Sequence, residues 1–168
     1  MTNLVRPHGS RELKPLIVRD KTESEAIIVS SSDLKRLELN SSASANIVML
    51  GAGYFTPLSG FMDKENSLNV ARKMQTTEGI FWPIPIMNLS TLKTTEFTVG
   101  EELLLLDPNY PDKRPIAIQT VNSVENLNSE ELETIAENVF GTKDSNHPGV
   151  KNFIHQGTTL IAGPVKVF

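Results

Sequence analysis

Val48-Met-Leu-Gly51-Ala-Gly53-Tyr-Phe-Thr56-Pro57-Leu58-Ser-Gly60-Phe61-Met62 is an apolar run that enters Gly-Xaa-Gly and leaves through Pro and a further Gly. An apolar strand running into Gly-Xaa-Gly is how a dinucleotide-binding turn begins, with glycines that let backbone amides approach a pyrophosphate at a helix N-terminus. The pattern then fails. Thr56 stands where the sixth-position glycine belongs, Pro57 follows, and Ser59-Gly60 would break a helix opening there. The stretch reads as a structural turn, with Gly51, Gly53, Pro57 and Gly60 bending the backbone and Phe55 and Phe61 supplying apolar bulk.

Outward from this segment the chain alternates short β-like runs with a few helices. Ala26–Val29 is a short apolar run, and Ile84–Leu89 with its Pro85 suggests an edge strand or bulge. Glu102–Leu106 reads as a buried strand from its continuous leucines, and 107–115 as the turn-rich loop after it. Ile116–Val121 returns as a second strand. Thr158–Ala162 and Val165–Val167 close the chain on either side of a Gly163-Pro164 turn. Helices are expected over Asp33–Leu39, Asn66–Met74 and, best defined, Ser129–Phe140. In that last helix Asn128 caps, Glu131 occupies the capping-box position, and Leu132, Ile135, Ala136, Val139 and Phe140 share one face. Gly141 stands at the left-handed C′ position. Asn40–Ala45 reads as a loop or weak helix. The expected class is α+β or mainly β, a small barrel with flanking helices, in one domain over 1–168.

The 168 residues suffice for one domain, and no repeat or shift of composition divides them. With no cysteine, disulfides, thiolate metal sites and a cysteine nucleophile are excluded. A net charge of -4 argues against a protein that lives on phosphate backbones. Met1–Lys21 carries Arg6, Arg11, Lys14 and Arg19 and lacks the apolar core of a signal peptide, and Ile47–Met62 is too interrupted to span a membrane. A soluble, cytoplasmic chain follows as the expectation.

Candidate chemistry is sparse. His147-Pro-Gly149-Val150 is half of the His-Xaa-Gly-His clamp with which nucleotidyltransferases hold phosphates, and Val150 replaces the second imidazole. It reads as a capped turn after the Ser129–Phe140 helix. His8, His147 and His155 have no metal-ligand spacing. Glu101-Glu102 and Glu130-Glu131 read as solvated faces and helix-start charges. No P-loop and no Gly-Xaa-Ser-Xaa-Gly elbow is present. No catalytic, cofactor-binding or metal-binding residue is therefore assigned.

Five stretches, in order, resemble the N-terminal domain of the sulfate adenylyltransferase (ATP sulfurylase) family. They are Pro7-His8-Gly9 with Leu13-Lys-Pro-Leu16, Gly51–Met62, Met74–Gly79 with Trp82-Pro83-Ile-Pro85-Ile86, Phe140–Asp144 through His147–Val150, and Gly163-Pro164-Val165. Glu78 stands where that family usually has Asp. The Gly-Ala-Gly-Tyr-Phe form and Gln156-Gly157 lean toward homologues of sulfur-oxidising and related microbes.

The resemblance implies a PUA-like β-barrel with flanking helices and marks Gly51, Gly53, Phe55, Pro57, Leu58, Gly60, Phe61, Trp82, Pro83, Pro85, His147 and Gly149 as a structural signature. It also implies a parent reaction, attack of sulfate on the α-phosphorus of Mg-ATP, whose catalytic loops lie in a following domain. The chain stops at Phe168, where that domain would begin, so it is expected to be inactive alone. Its implied partners are that catalytic domain and other subunits, and Mg-ATP belongs to the parent enzyme. Phe55, Phe61 and Trp82 would fill the core or an interdomain seam, with the core the leading expectation for Phe61 and Trp82. A domain normally covered on one face should also keep an exposed apolar patch. The alternative, a free-standing PUA-like RNA-binding module, would need a basic, aromatic-bearing groove, which an acidic chain with one Trp and two Tyr does not suggest.

Overall fold

The computed structural model describes residues 5–168, so Met1–Leu4 of the basic N-terminal stretch lie outside the described residues. The element order is α1 (Lys21–Ser30), β1 (Lys35–Glu38), α2 (Ser41–Ala52), β2 (Gly60–Phe61), α3 (Lys64–Lys73), β3 (Leu89–Ser90), a 3-10 turn (Thr94–Glu96), β4 (Glu102–Leu106), β5 (Pro115–Thr120), β6 (Ser123–Asn126), α4 (Ser129–Phe140), α5 (Pro148–Ile154) and β7 (Thr159–Val167). The class is α+β, with a mixed sheet whose path runs β1-β4-β5-β7-β2 and with β3 and β6 also on β7.

Contacts group the chain into two compact units. One comprises the chain up to Gly60, Glu102–Thr120 and Pro164–Phe168; the other comprises Phe61–Glu101 and Val121–Gly163.

In the first unit β4 is the centre. Leu103, Leu104 and Leu105 are all at most 1% exposed: parallel β1 and antiparallel β5 flank the two edges of the strand, and both of its faces are covered. Leu104, Leu106 and Ile118 form a cluster against which Ile27, Leu34 and Phe168 pack. Residues Asp33–Leu39, expected as helix, instead supply β1. Leu37 and Leu39 are buried while Arg36 and Glu38 are exposed, a period of two that pairing with β4 enforces. Ala26–Val29 corrects in the opposite direction and is helical. Asp20 caps α1 by accepting from the Glu23 N–H at 2.8 Å, and Ile27 faces the sheet.

The second unit has its own core of Leu89, Leu127, Ile135, Ala136, Val150, Phe153 and Leu160, with Ala71 from α3. The α4 helix matches its sequence reading at both ends. Asn128 and Glu131 form the capping box, with bonds of 2.9 and 2.8 Å, and Gly141 takes φ 74°. Helix α3 runs from its Asp63 cap to Met74. Lys64 ties the two together, its Nζ donating to Glu131 Oε1 at 3.1 Å and to the Asn126 carbonyl at 3.0 Å.

Gly163-Pro164 does not turn the chain. It lies inside the nine-residue β7, where the strand changes partners: Thr159–Ala162 pairs with β6, and Val165–Val167 with β5. Pro164 has no N–H to give a ladder, and Gly163 at φ 143° lies in a region that L side chains rarely adopt. Ile84–Leu89 is likewise mostly irregular, with only Leu89–Ser90 paired, to Leu160 and Thr159.

Candidate functional site

The Gly51–Gly60 part of the signature belongs to the first unit. Asn40–Ala52 is one helical stretch. Asn40 accepts from the Ala43 N–H at 2.8 Å, the helix runs twelve residues, and Gly53 ends it at φ 81°. Gly51 is therefore helical rather than a turn residue. Its missing side chain makes room for Val167, since a Cβ at Gly51 would stand 2.9 Å from Val167 Cγ1. Gly53 is needed twice over, for its left-handed backbone and because a Cβ would meet Pro15 N at 3.1 Å. Downstream, Thr56 is buried and donates from Oγ1 to the Gly53 carbonyl at 2.7 Å, while the Lys14 N–H donates to Thr56 Oγ1 at 3.0 Å. Phe55, Pro57 and Leu58 are half-buried and Gly60 is buried.

This geometry disposes of a pyrophosphate at Gly51-Ala-Gly53. The glycines stand at a helix C-terminus, where carbonyls and the negative end of the dipole project, and an anion is repelled there.

Acid chemistry in this unit is also structural. Asp107, 7% exposed, accepts through Oδ1 from the Ser44 hydroxyl, the Asn109 N–H and the Asn109 side-chain amide, each at 2.9 Å. Burial pushes its carboxyl pKa up. The hydrogen bonds and nearby Arg114 outweigh that and hold it below the usual value. Arg114 itself lies 3.5 Å over the Tyr110 ring. Asp107 so fixes helix α2 to the loop after β4, an anchoring role that sequence reading missed because Ser44 lies 63 residues away.

The rest of the signature lies in the second unit. Phe61 is 4% and Trp82 7% exposed, as core packing requires, and the Met62 N–H donates to the Ile86 carbonyl at 2.9 Å. Pro83 is exposed and Pro85 half-buried. Residues 74–82 close a small loop through the Gln75–Phe81 bridge and a 2.8 Å bond from the Trp82 N–H to the Met74 carbonyl.

His147 caps α5, accepting at Nδ1 from the Val150 N–H at 3.4 Å, so its role is a cap on a helix that the sequence reading took for a turn. The fourth position of the half-motif, Val150, is fully buried in the core of the unit and cannot stand beside His147 in solvent. A Cβ at Gly149 would lie 2.8 Å from the Phe140 ring, so that glycine seats α5 on α4. Ser145, Asn146, Lys151, Ile154 and His155 line an open depression of about 350 Å³. Within it His155 Nδ1 donates to the Lys151 carbonyl at 2.6 Å. His8 is exposed in the first unit. Among the described residues no group of three or more His, Asp or Glu could hold a metal ion, and no helix is long and apolar enough to cross a membrane.

Glu131, half-buried at the start of α4, is the second unit's counterpart to Asp107. Burial raises its pKa, but the Asn128 N–H and the Lys64 ammonium outweigh that and hold it below the ordinary carboxylate value.

The chain is 42% identical to a sulfate adenylyltransferase of Alcanivorax borkumensis over 99% of its own length and 41% of that protein. It is 37% identical to the Allochromatium vinosum sulfate adenylyltransferase over 98% of the chain and 41% of that protein. The chain thus spans about two fifths of the curated relatives it matches. A solved structure described as a hexameric APS kinase from Thiobacillus denitrificans superposes with a TM-score of 0.67 at 25% identity, over 98% of this chain and 27% of that one. The model of the PUA-like domain family matches residues 5–168, across both units, and the chain belongs to that family.

Proposed function

We propose that this chain is the non-catalytic supporting domain of an ATP sulfurylase, bracing a catalytic domain and contributing to subunit contacts. What carries the reading is the work done by the signature residues. Gly51 and Gly149 admit neighbouring side chains, Gly53 and His147 cap helices, and Phe61 and Trp82 fill the interior. The match to sulfate adenylyltransferases, over nearly the whole chain and about two fifths of their length, supports a sulfurylase as the enzyme such a domain would serve. The parent reaction would join a sulfate oxygen to the α-phosphorus of Mg-ATP and release pyrophosphate, in the cytoplasm. Its catalysis would rest on positioning and charge stabilisation by groups outside this segment. Mg-ATP would bind to that other part. The hexameric relative makes subunit contacts through this kind of domain a reasonable further role.

The test has two arms. The 168-residue protein alone, assayed for ATP formation from adenosine 5′-phosphosulfate and pyrophosphate with Mg²⁺, should give nothing above a buffer blank. Turnover that tracks the protein through purification would overturn the reading. In the second arm the segment is joined to the remainder of the Alcanivorax borkumensis enzyme in place of the portion it matches. The joined chain should be active and more heat-resistant than the remainder alone. A remainder that is equally active and stable without the segment would also overturn it. Titration with an RNA hairpin should be flat at low and moderate salt.

A further inference from the structure

We infer that the outer face of α2 is the surface on which the following domain of the sulfurylase docks; this rests on the function proposed above. Helix α2 carries no charged residue and, past Asn46, no polar side chain. Its inner face buries Ala43, Ser44, Ile47, Leu50 and Gly51. Its outer face presents Ala45, Val48, Met49 and Ala52, at i, i+3, i+4 and i+7, all exposed. Val48 is 62% exposed, and just past the helix Tyr54 is 74% exposed. Leu13, 56% exposed, extends the patch beside Gly53. An exposed helix normally turns polar residues outward, and one whose outer face is apolar through its last turns is built to be covered there. No Asp, Glu, Lys, Arg or His occurs between Glu38 and Asp63, so the helix itself offers nothing that would recognise a phosphate backbone or an anionic membrane. The occupant that fits is a neutral, apolar protein surface.

Area and tethering choose which protein surface. The eight residues from Ala45 to Ala52 make a strip about 12 Å long and about 10 Å wide. With Leu13 and Tyr54 added, the patch stays well below the roughly 800 Å² per partner that a stable complex of free proteins buries. A second copy would be held weakly. A domain on the same polypeptide needs far less, because tethering supplies an effective concentration in the millimolar range.

The absence of cysteine makes the test direct. Val48→Cys, and Val29→Cys on α1 as a control (73% exposed at Val29), each provide a single thiol in this segment. Alkylation is followed by peptide mass spectrometry in the free 168-residue chain and in the chain joined to the Alcanivorax borkumensis remainder. Val48→Cys should react roughly tenfold or more slowly when joined, since reactivity follows access, while Val29→Cys reacts alike in both. Equal Val48→Cys rates would overturn the docking face. Protection that grows with concentration in the free chain would assign the face to a second copy and overturn it also. Rate and turnover fail separately: a protected but inactive joined chain counts against the proposed function, and an active, unprotected one against the α2 face alone.

Discussion

Helices α2 and α4 are each twelve residues long, each starts on an Asn that accepts from the third amide, and each ends on a left-handed Gly. They differ on their outer faces. α4 turns Glu130, Glu133, Glu137 and Asn138 to solvent, and its buried Ile135 and Ala136 stand out against them; α2 turns out Ala45, Val48, Met49 and Ala52. The ends of a helix are local chemistry, whereas its outer face reflects whatever is meant to lie beyond it. α4 ends at water, and α2 is built as though it does not.

The comparison breaks most easily in the interior, where the two should behave alike. Leu50→Ala in α2 and Ile135→Ala in α4, both 1% exposed, should each cost about 2–5 kcal/mol in urea unfolding. If Leu50→Ala costs under 1 kcal/mol, the α2 inner face is not a core face and the helix is mounted otherwise than described. Next come the two C-terminal glycines, which should separate. Both need positive φ, but a Cβ at Gly141 meets nothing within 4 Å, while one at Gly53 meets backbone at 3.1 Å. Gly141→Ala should cost about 1 kcal/mol, and Gly53→Ala about 2–3 kcal/mol because strain adds to the conformational term. Equal costs would show that Pro15 and Leu13 yield without penalty.

The same pair explains what could be read in advance. α4 was legible at every position because its apolar period of 3.6 stands out against charge, with a capping box and a terminal Gly to mark its ends. α2 was hidden: with apolar and small residues on all sides there is no period, and Gly51-Ala-Gly53 looked like a ligand turn rather than a packing notch and a cap. β4 was legible because four leucines in a row suit a strand buried on both faces. β1 was not, since Leu34 and Leu37 at helical spacing are overridden by pairing with β4, a contact across some 68 residues. Phe61 and Trp82 lie in the core, as bulky apolar side chains predict. What each glycine touches, and the anchoring of α2 by Asp107, depend on long-range contacts that no local pattern carries.

The two helices also differ in how an acid secures them, and pH should sharpen this. Asn128→Ala and Asn40→Ala should each cost about 1 kcal/mol as lost caps. Glu131 holds the start of α4 and Asp107 holds α2 through Ser44, and both have native pKa values below their ordinary 4.5 and 3.8. A depressed native pKa contributes stability that is present above the unfolded value and is lost as pH falls through the native one. Thermal stability should therefore drop on acidification below about pH 4.5. Glu131→Gln should lower Tm at neutral pH and flatten the upper part of that drop, and Asp107→Asn the lower part. A Glu131→Gln protein with an unchanged acid profile would mean that Lys64 and the Asn128 amide give the carboxylate no net preference.

The smallest effect should come from the feature that distinguishes the helices most. Val48→Lys lies on a face that the free domain does not use, so unfolding free energy should move by less than about 0.5 kcal/mol in either direction. Binding of a hydrophobic dye should fall, because a charge now interrupts the patch. This near-silence is informative because a lysine at Leu50, on the opposite face of the same helix, would leave a buried charge unpaired and be severely destabilising. A loss above 1 kcal/mol at Val48 would place that side chain in the domain's own core and erase the difference between α2 and α4. A silent change in the free chain, beside a marked loss in the chain joined to a catalytic domain, would locate the stabilising work of the α2 outer face in the partner rather than in the fold.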